Sequence, residues 1–320
     1  MKCLVTGGAG FIGSHLVERL LALGHTVVVI DNLSLSDGSN LASLHTAKNL
    51  ILYKRDIREK LTDIFSSEGI SAVFHLAAIP RARYSVVRPD ETHDVNVQGT
   101  FNILEHCRIF GVKRFVFSSS AAIYGDQEIV PLSEAVTPQP VSPYALQKLI
   151  GEQYCTLYHR LYGLEAIALR YFNVYGPRQN PHGDYSCLIP KFITLLEKNQ
   201  RPEIYGDGEQ TRDFIYVSDI IDANIIAAST QNKEIFGEIF NVGSGIHTSV
   251  NQVTKAISSL IGNSIEPLYG PPFVEPRVSC ADTTKIKKHL GWESKVSFLE
   301  GLRYTYRASE REVYTQPAST

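Results

Sequence analysis

Gly7-Gly8-Ala9-Gly10-Phe11-Ile12-Gly13 is the stretch that decides the fold of this chain. It follows a short apolar run, Lys2 to Thr6, and leads into Phe11 to Leu23, where apolar residues recur at helical spacing. Glycines at a strand-to-helix junction allow a tight turn and let a pyrophosphate approach the first N–H groups of the helix. A tight turn without a ligand is the alternative. The stretch predicts a dinucleotide site at the start of the first helix.

An acidic residue supports the dinucleotide interpretation. After the helix, Thr26 to Ile30 is a second predicted strand, and it ends in Asp31, 18 residues beyond Gly13. A carboxylate there can accept hydrogen bonds from the adenosine ribose and would repel a 2′-phosphate. The next Lys or Arg along the chain is Lys48. The pattern therefore favours NAD over NADP.

Composition limits the class of protein. A chain of 320 residues with 43% hydrophobic and 20% charged residues is ordinary for a globular enzyme. A net charge of −2 argues against a nucleic-acid surface, and no apolar run approaches the roughly 20 residues that span a bilayer. The five scattered cysteines and ten histidines lack metal-ligand spacing. We expect a cytoplasmic protein with no metal, nucleic-acid or membrane partner.

Strands and helices alternate through the first half of the sequence. Such alternation predicts an α/β fold with a Rossmann-type doubly wound parallel sheet. Sheets of this kind bind ligands at the carboxyl ends of their strands. The further predicted strands are Leu50 to Tyr53, Ala72 to Leu76, Arg114 to Ser118 and Glu165 to Leu169, and further helices are expected over 92–110 and 144–162.

The regular alternation of strands and helices stops in the second half of the sequence. This half predicts a smaller α/β substrate-binding domain. Residues 175–186 have the composition of an irregular loop. Ile204 to Gly208 and Phe214 to Val217 suggest a strand, a turn and a returning strand, after which Ser218 caps a helix. The expected domains are 1–172 for the dinucleotide, with 214–243 returning to it, 173–213 and 244–310 for the substrate, and a frayed tail over 311–320.

A tyrosine and a lysine are the candidate proton-transfer groups. Ser142 and Pro143 have the types of a helix cap and first helical residue, which places Tyr144 and Lys148 on one face of the first turns. A tyrosine pKa near 10 must fall by roughly three units for the phenol to act as a base, which requires roughly 4 kcal/mol. A neighbouring ammonium, the helix N-terminus and a cationic nicotinamide favour the phenolate. An accidental surface pair is the alternative.

Ser118-Ser119-Ser120 follows a predicted strand at the carboxyl edge of the sheet. A hydroxyl there could hydrogen-bond an oxygen that is being oxidised, whereas plain turn chemistry is the alternative. The tyrosine and lysine downstream favour the functional interpretation.

Further segments complete the pattern: His75-Leu76-Ala77-Ala78, Asn96 in a predicted helix, and Arg170-Tyr171-Phe172-Asn173-Val174-Tyr175-Gly176-Pro177. Together with the glycines, they resemble the extended short-chain dehydrogenases/reductases, in the NAD-dependent nucleotide-sugar epimerase/dehydratase family, over nearly the whole chain to about residue 305. The resemblance implies a catalytic trio of Ser120, Tyr144 and Lys148. It implies NAD contacts from Gly7, Gly10, Phe11, Ile12, Asp31, Asn32, Asp56, Ile57, Leu76, Ala77, Ala78, Asn96, Ser118, Tyr144, Lys148 and Tyr171.

The resemblance also implies how a UDP-sugar substrate is bound. The implied contacts come from Ser120, Tyr144, Asn173, Arg178, Arg212, Arg277 and Ser279. Solvated surface charge is the alternative for Arg212 and Arg277. Ser279 stands three residues before Asp282, where a tyrosine would close the space for an N-acetyl group and a serine leaves it open. A solvent-facing loop serine is the alternative.

Two alanines narrow the implied chemistry. Dehydratases of this family carry an Asp-Glu pair where this chain has Ala121 and Ala122, which cannot exchange a proton. The resemblance is closest to UDP-hexose 4-epimerases acting through a transient 4-keto sugar, on the glucose/galactose pair, the N-acetylated pair or both. The segment from Asp184-Tyr185 to Pro190-Lys191-Phe192 resembles the N-acetylhexosamine members.

Other activities stay open from the sequence. The alternatives are a UDP-glucuronate epimerase or decarboxylase, a keto-sugar reductase, and a non-catalytic NAD-binding regulator. The family also implies a homodimer formed through the helices near 92–110 and 144–162.

Overall fold

The computed structural model describes residues 1–181, 187–272 and 276–315, with side chains up to residue 309. The segment Asp184-Tyr185, used above for the N-acetylhexosamine resemblance, lies outside the described residues.

A seven-stranded sheet with every neighbouring pair parallel forms the centre of the molecule, in the order β10-β6-β5-β4-β1-β2-β3. The order reverses between β1 and β4, which is the place where sheets of this kind bind ligands. The predicted fold class is confirmed. The strands are β1 (Lys2–Thr6), β2 (Thr26–Ile30), β3 (Leu50–Tyr53), β4 (Ala72–His75), β5 (Arg114–Ser120), β6 (Glu165–Tyr171) and, later in the chain, β10 (Ile239–Val242).

Two layers of helices cover the sheet, because its strands are apolar on both faces. One layer packs Leu16, Val17 and Leu20 of the first helix against Ile220 and its neighbours. The other buries Ile103, Cys107 and Tyr158. The helices before β6 are α1 (Phe11–Ala22), α2 (Thr62–Glu68), α3 (Ala82–Val87), α4 (Pro89–His93), α5 (Thr100–Ile109) and α6 (Pro143–Tyr162), and a π-helical turn, Asp94–Gly99, joins α4 to α5.

The remaining elements build a second apolar core. Phe192, Val253 and Leu302 lie at its centre, each on a different helix. The strands here are β7 (Asn173–Tyr175), β8 (Glu203–Tyr205), β9 (Thr211–Tyr216), β11 (His247–Ser249) and β12 (Leu268–Gly270). The helices are α7 (Leu188–Glu197), α8 (Val217–Ser229), α9 (Val250–Ile261), α10 (Thr284–Leu290) and α11 (Phe298–Thr315), of which α8 packs on α1.

Two local predictions for this half are wrong. β8 and β9 do not pair as a hairpin: β8 pairs with β12, whereas β9 lies between β7 and β11. The turn residues near Gly206 were correctly located, but partners distant in sequence decide the pairing. Ser218 does not cap α8, since the helix begins at Val217 with Tyr216 as its cap residue.

The boundaries of the two domains stay a prediction. β10 joins the central sheet beside β6, whereas β9 belongs to the three-stranded sheet β11-β9-β7. α11 continues to Thr315, which covers the first half of the segment 311–320 expected to be frayed. Residues 316–320 lie outside the described part.

Gly151 allows α6 to pack closely on β5. An alanine Cβ there would lie 2.7 Å from Cε1 of Phe117 and closer still to its Cζ. Ordinarily an alanine stabilises a helix interior by about 0.5–1 kcal/mol relative to glycine. Here we expect Gly151→Ala to lower the free energy of unfolding by about 1–3 kcal/mol because of overpacking, measured by urea denaturation. Gln153→Ala, at an exposed position of the same helix, is the control, and equal stability of the two variants would contradict the close packing.

Candidate active site

The cleft lies at the carboxyl edge of the central sheet. It encloses about 1660 Å³ and runs from the loops after β1, β2 and β3 to the start of α6 and the chain after β6. Among the predicted cofactor residues, Gly7, Gly10, Phe11, Ile12, Asp31, Asn32, Asp56, Ile57, Leu76, Ala77, Ala78, Ser118, Tyr144, Lys148 and Tyr171 all line it. The structure therefore brings nearly the whole predicted set together, while their contacts with the cofactor stay a prediction.

The glycine turn is required by close backbone approaches. Gly7 has φ +70°, and a Cβ on it would lie 2.8 Å from the backbone nitrogen of Ala77. A Cβ on Gly13 would lie 2.8 Å from Cα of Gly8. The turn thus lets β1 and β4 run side by side and lets α1 start directly above them.

Asp31 is held by the backbone at the end of β2. Its carboxylate accepts hydrogen bonds from the N–H groups of Ala9 (3.0 Å) and Leu33 (2.8 Å). Beyond it, Asn32 donates to Asp56 (2.8 Å). Asp56 also accepts from Arg58, and these bonds hold the pKa of its carboxyl down at about 2. The carboxylate of Asp31 is therefore oriented by both loops that border the adenosine end.

Asn96 is the exception among the predicted cofactor residues, because it is buried and not among the residues that line the cleft. Its amide oxygen accepts from the N–H of Ile79 (2.8 Å), and its amide nitrogen donates to Ile79 O (3.2 Å) and Gln147 Oε1 (2.8 Å). Asn96 thus holds the loop after β4 against α6. Its effect on a bound dinucleotide would pass through that loop.

Ser142 and Pro143 start α6 as expected. The Ser142 hydroxyl accepts from the N–H of Ala145 (3.2 Å), and Pro143 occupies the first turn. The cap sets Tyr144 in the cleft, which Ser120 also lines. Two members of the predicted trio therefore face the same space.

The pKa of Tyr144 in the protein alone depends on an effect that the sequence does not show. Burial raises the pKa of Tyr144 to about 12, and the Ser120 hydroxyl offsets only part of that rise. The ammonium of Lys148 lies 5.9 Å from the centroid of the Tyr144 ring and donates to Ser118 O at 2.7 Å. Desolvation, which sequence spacing does not show, therefore outweighs the lysine in the protein alone.

Lys148 is itself buried, and this lowers its pKa to about 8. Glu152, one helical turn further along α6, acts in the opposite direction by its negative charge. Glu152 forms a buried ion pair with Arg170 of β6, with bonds of 2.9 and 2.8 Å, and accepts a short hydrogen bond from Ser119. This pair ties α6 to β5 and β6 directly beneath the candidate proton-transfer groups.

The predicted substrate residues fall into two groups. Ser120, Tyr144, Asn173 and Arg178 line the cleft, whereas Arg212, Arg277 and Ser279 do not. The second group is nevertheless assembled by one ladder, in which Thr211 N donates to Arg277 O (3.0 Å) and Ser279 N donates to Thr211 O (3.2 Å). Two segments distant in sequence, Thr211-Arg212 and 277–279, are thus brought together.

Arg277 and Ser279 have defined surroundings. The exposed guanidinium of Arg277 makes two hydrogen bonds to Asp207, at 2.7 and 2.8 Å. Ser279 is half-buried, so the solvent-facing alternative does not describe it fully. Their contacts with a substrate stay a prediction.

Sequence reasoning missed several residues that line the cleft: Ser36, Arg55, Arg58, Arg81, Phe172, Gln179 and Cys187. Arg55 and Arg58 follow β3, and only the parallel pairing of β3 with β2 brings them near Asp31. Both guanidinium groups bond to carboxylates, Arg55 to Asp63 (3.2 Å) and Arg58 to Asp56 (2.8 Å). The carboxyl ends of parallel strands meet at one edge of a sheet, and this rule could have predicted that Arg55 and Arg58 line the cleft.

The residues present fit a dinucleotide. A Cβ on Gly10 would meet only the carbonyl oxygen of Gly7 within 4 Å, so the space above the start of α1 is open to a ligand. Ser36 has a buried hydroxyl without a hydrogen-bond partner in this cleft. The residues that would hold the diphosphate are those of the glycine turn, and Asp31 would hold the adenosine ribose.

Two negative findings concern the described ranges only. Within residues 1–181, 187–272 and 276–315, no group of three or more His, Cys, Asp or Glu side chains could hold a metal ion. Over the same part of the chain, no helix has the length and apolar character needed to cross a membrane.

The strand order of the sheet reverses between β1 and β4. A glycine turn lies on one side of the cleft at this point, and a tyrosine–lysine pair lies on the other. This arrangement defines a Rossmann-type dinucleotide-binding enzyme. A model of the NAD dependent epimerase/dehydratase family matches residues 3–243, and the chain belongs to that family. The predicted cofactor, NAD, is confirmed.

Individual relatives are similar along their whole length. The UDP-glucose 4-epimerase of Mycolicibacterium smegmatis is 39% identical over 308 residues, covering 95% of this chain and 97% of the relative. The crystal structure of UDP-glucose 4-epimerase from Thermotoga maritima, with UDP-glucose, matches with a TM-score of 0.92 and 40% identity, covering 98% of this chain and 100% of that one. The UDP-N-acetylglucosamine 4-epimerase of Methanobrevibacter ruminantium, in complex with UDP-N-acetylmuramic acid, has a TM-score of 0.92 and 35% identity, covering 97% and 98%.

The buried charge of Lys148 has a cost in stability. Between pH 8 and pH 10.5 the unfolded chain holds a proton on this lysine that the folded chain has lost, so stability rises with pH there. We expect Lys148→Met, freed of NAD, to be about 2–3 kcal/mol more stable than wild type at pH 7, with that advantage lost near pH 10.5. Urea denaturation at both pH values measures the difference. Lys255→Met, at an exposed position on α9, is the control, and a Lys148→Met advantage that does not change with pH would contradict the lowered pKa.

Proposed function

We propose that this protein is an isomerase, an NAD-dependent UDP-sugar 4-epimerase that works through a transient 4-keto sugar. The observation that carries the proposal is that Ser120, Tyr144 and Lys148 line one cleft at the carboxyl edge of the sheet, with Lys148 buried beside the Tyr144 ring. The curated and solved relatives described above support it.

Tyr144 would move the proton of the sugar's 4-hydroxyl. The hydroxyl of Ser120 lowers the pKa of Tyr144 and so favours the phenolate that must accept that proton. Because the pKa of Tyr144 is about 12 in the protein alone, the phenolate needs positive charge nearby. Lys148 supplies one such charge. NAD, when bound, would accept the hydride from C4 of the sugar. Its cationic ring would further favour the phenolate.

The same groups serve the reverse step on the other face of the sugar. Tyr144 would return its proton to the 4-keto oxygen, while the bound cofactor would return the hydride to C4 of the sugar. Lys148 is anchored to Ser118 O. Ala121 and Ala122, which follow Ser120 in a 3₁₀ turn, offer no acid or base for removing water. The chain is therefore equipped for epimerisation and not for dehydration.

We infer a substrate pocket that admits an N-acetyl group. Ser279 is small and lies beside Thr211 at the start of β9, where the predicted diphosphate residues Arg212 and Arg277 also lie. UDP-N-acetylglucosamine and UDP-N-acetylgalactosamine are thus the proposed pair, with UDP-glucose and UDP-galactose also accepted. A UDP-glucuronate decarboxylase would release CO₂ instead, and a reductase would consume NADH.

We further propose a cytoplasmic homodimer. All five cysteines are free thiols, which suits a reducing compartment. Exposed apolar side chains cluster on the helices that the family resemblance assigns to a dimer: Phe101 and Ile109 on α5, and Leu146, Leu157 and Leu161 on α6. Such a cluster is typical of an interface.

Tyr144→Phe tests the base. The substitution removes the phenol oxygen and keeps the ring, so turnover should fall by about three or more orders of magnitude while UDP-sugar binding is retained. Product separation after incubation with UDP-sugars measures turnover, and calorimetry measures binding. Tyr269→Phe, at an exposed tyrosine on β12, is the matched control. Near-normal turnover by Tyr144→Phe would rule out the mechanism.

Ser279→Tyr tests the width of the pocket. The larger ring should abolish conversion of the N-acetylated pair and spare conversion of the plain hexoses, because overpacking a fitted site costs roughly 1–3 kcal/mol or more. Ser279→Ala is the control and should convert both pairs. If wild type rejects both acetylated sugars, or if Ser279→Tyr still converts them, the assignment of Ser279 is wrong while the 4-epimerase proposal stands.

A further inference from the structure

The chain after β7 folds back onto the first helix. The ring Nε2 of His15 lies 3.0 Å from Pro177 O, and Arg178 places Nη2 2.6 Å from Glu18 Oε2 and Nη1 3.4 Å from Ser14 Oγ. Two successive residues of the loop are therefore attached to three positions on α1. We call this set of contacts the α1 clasp.

Arg178 adopts a backbone conformation that needs support. Its φ is +66°, in the left-handed region that side chains with a Cβ rarely occupy. A non-glycine residue stays in that region only where its surroundings compensate for the steric cost. The contacts with Glu18 and Ser14 direct the guanidinium towards α1.

The clasp stands at the wall of the cofactor cleft. Arg178 and Gln179 line the same cleft as Gly10, Phe11 and Ile12, where α1 begins. The Arg178 side chain is 20% exposed, so it is held at this wall, whereas Glu18 is 49% exposed. The first turn of α1 carries no acidic residue, so the positive end of the helix borders the same cleft that Arg178 lines.

We propose that Arg178 is a cofactor-binding residue, not the substrate-binding residue that the sequence suggested. Its guanidinium neutralises the diphosphate of NAD at the start of α1. The α1 clasp keeps residues 177–181 closed over the dinucleotide, so that NAD stays bound from one turnover to the next. The inference rests on NAD as the cofactor and does not depend on which sugar is converted.

The two parts of the clasp contribute differently. A guanidinium on a phosphate is a charge-assisted contact in a partly enclosed site, so removing Arg178 should strongly weaken retention. The ion pair with half-exposed Glu18 adds little by itself, and its effect is to orient Arg178. Glu18 is therefore a positioning residue.

NAD retention tests the proposal without measuring turnover. Purified Arg178→Gln should carry less NAD than wild type and should exchange it for etheno-NAD at least tenfold faster, followed by fluorescence. Glu18→Gln, which disturbs only the surface of α1, should exchange NAD about two- to fivefold faster. Arg19→Gln removes a neighbouring exposed arginine of the same helix and should exchange at the wild-type rate.

UDP binding separates the two roles of Arg178. On NAD-loaded protein, the affinity of Arg178→Gln for UDP, measured by calorimetry, should stay within twofold of wild type. Wild-type exchange rates in both clasp variants would overturn the proposal. A tenfold loss of UDP affinity in Arg178→Gln, with an unchanged rate of NAD exchange, would also overturn it. That result would assign Arg178 to substrate binding. Neither readout uses epimerase activity, so failure here is distinguishable from failure of the proposed function.

Discussion

The parallel register of the central strands is the constraint on which the rest of the site depends. Thr6 at the end of β1 lies opposite Ile30 on one side and His75 on the other, so three strands end level. The Thr6 hydroxyl lies 2.8 Å from the buried imidazole of His75, and burial lowers the pKa of that imidazole to about 3. A neutral ring thus bridges neighbouring strand ends without adding charge. Because the ends coincide, the loops after them converge on one cleft.

A buried ion pair lies close to the candidate proton-transfer groups. The Glu152–Arg170 pair is almost fully excluded from solvent and is satisfied by further bonds to Ser119 and Tyr124. Such a pair is weak evidence for stability, since desolvation offsets much of its attraction. The pair joins the strand end that carries Ser120 to the helix that carries Tyr144 and Lys148, the candidate proton-transfer groups.

The elements that follow from local sequence patterns were predicted correctly. The glycine spacing, the cap at Ser142 and the apolar runs of the strands are patterns of neighbouring residues, which the sequence displays directly. The predicted pairing of β8 was wrong because it depends on a partner far along the chain. The predicted cap of α8 was wrong because the helix begins before Ser218, at Val217. β8 pairs with β12, more than sixty residues later in the sequence. Turn composition locates a reversal of the chain, but it does not select the strand that lies beside it.

The sequence by itself determined the class of fold, the cofactor and the residue types at the reacting centre, because glycine spacing, strand alternation and the Tyr144–Lys148 interval are properties of neighbouring residues. Only the tertiary structure decided the electrostatics. The pKa of Tyr144 rises and that of Lys148 falls because packing removes water from both, and their spacing on α6 contains no information about that. The contact of Arg178 with α1 is likewise tertiary, since it joins residues 160 positions apart.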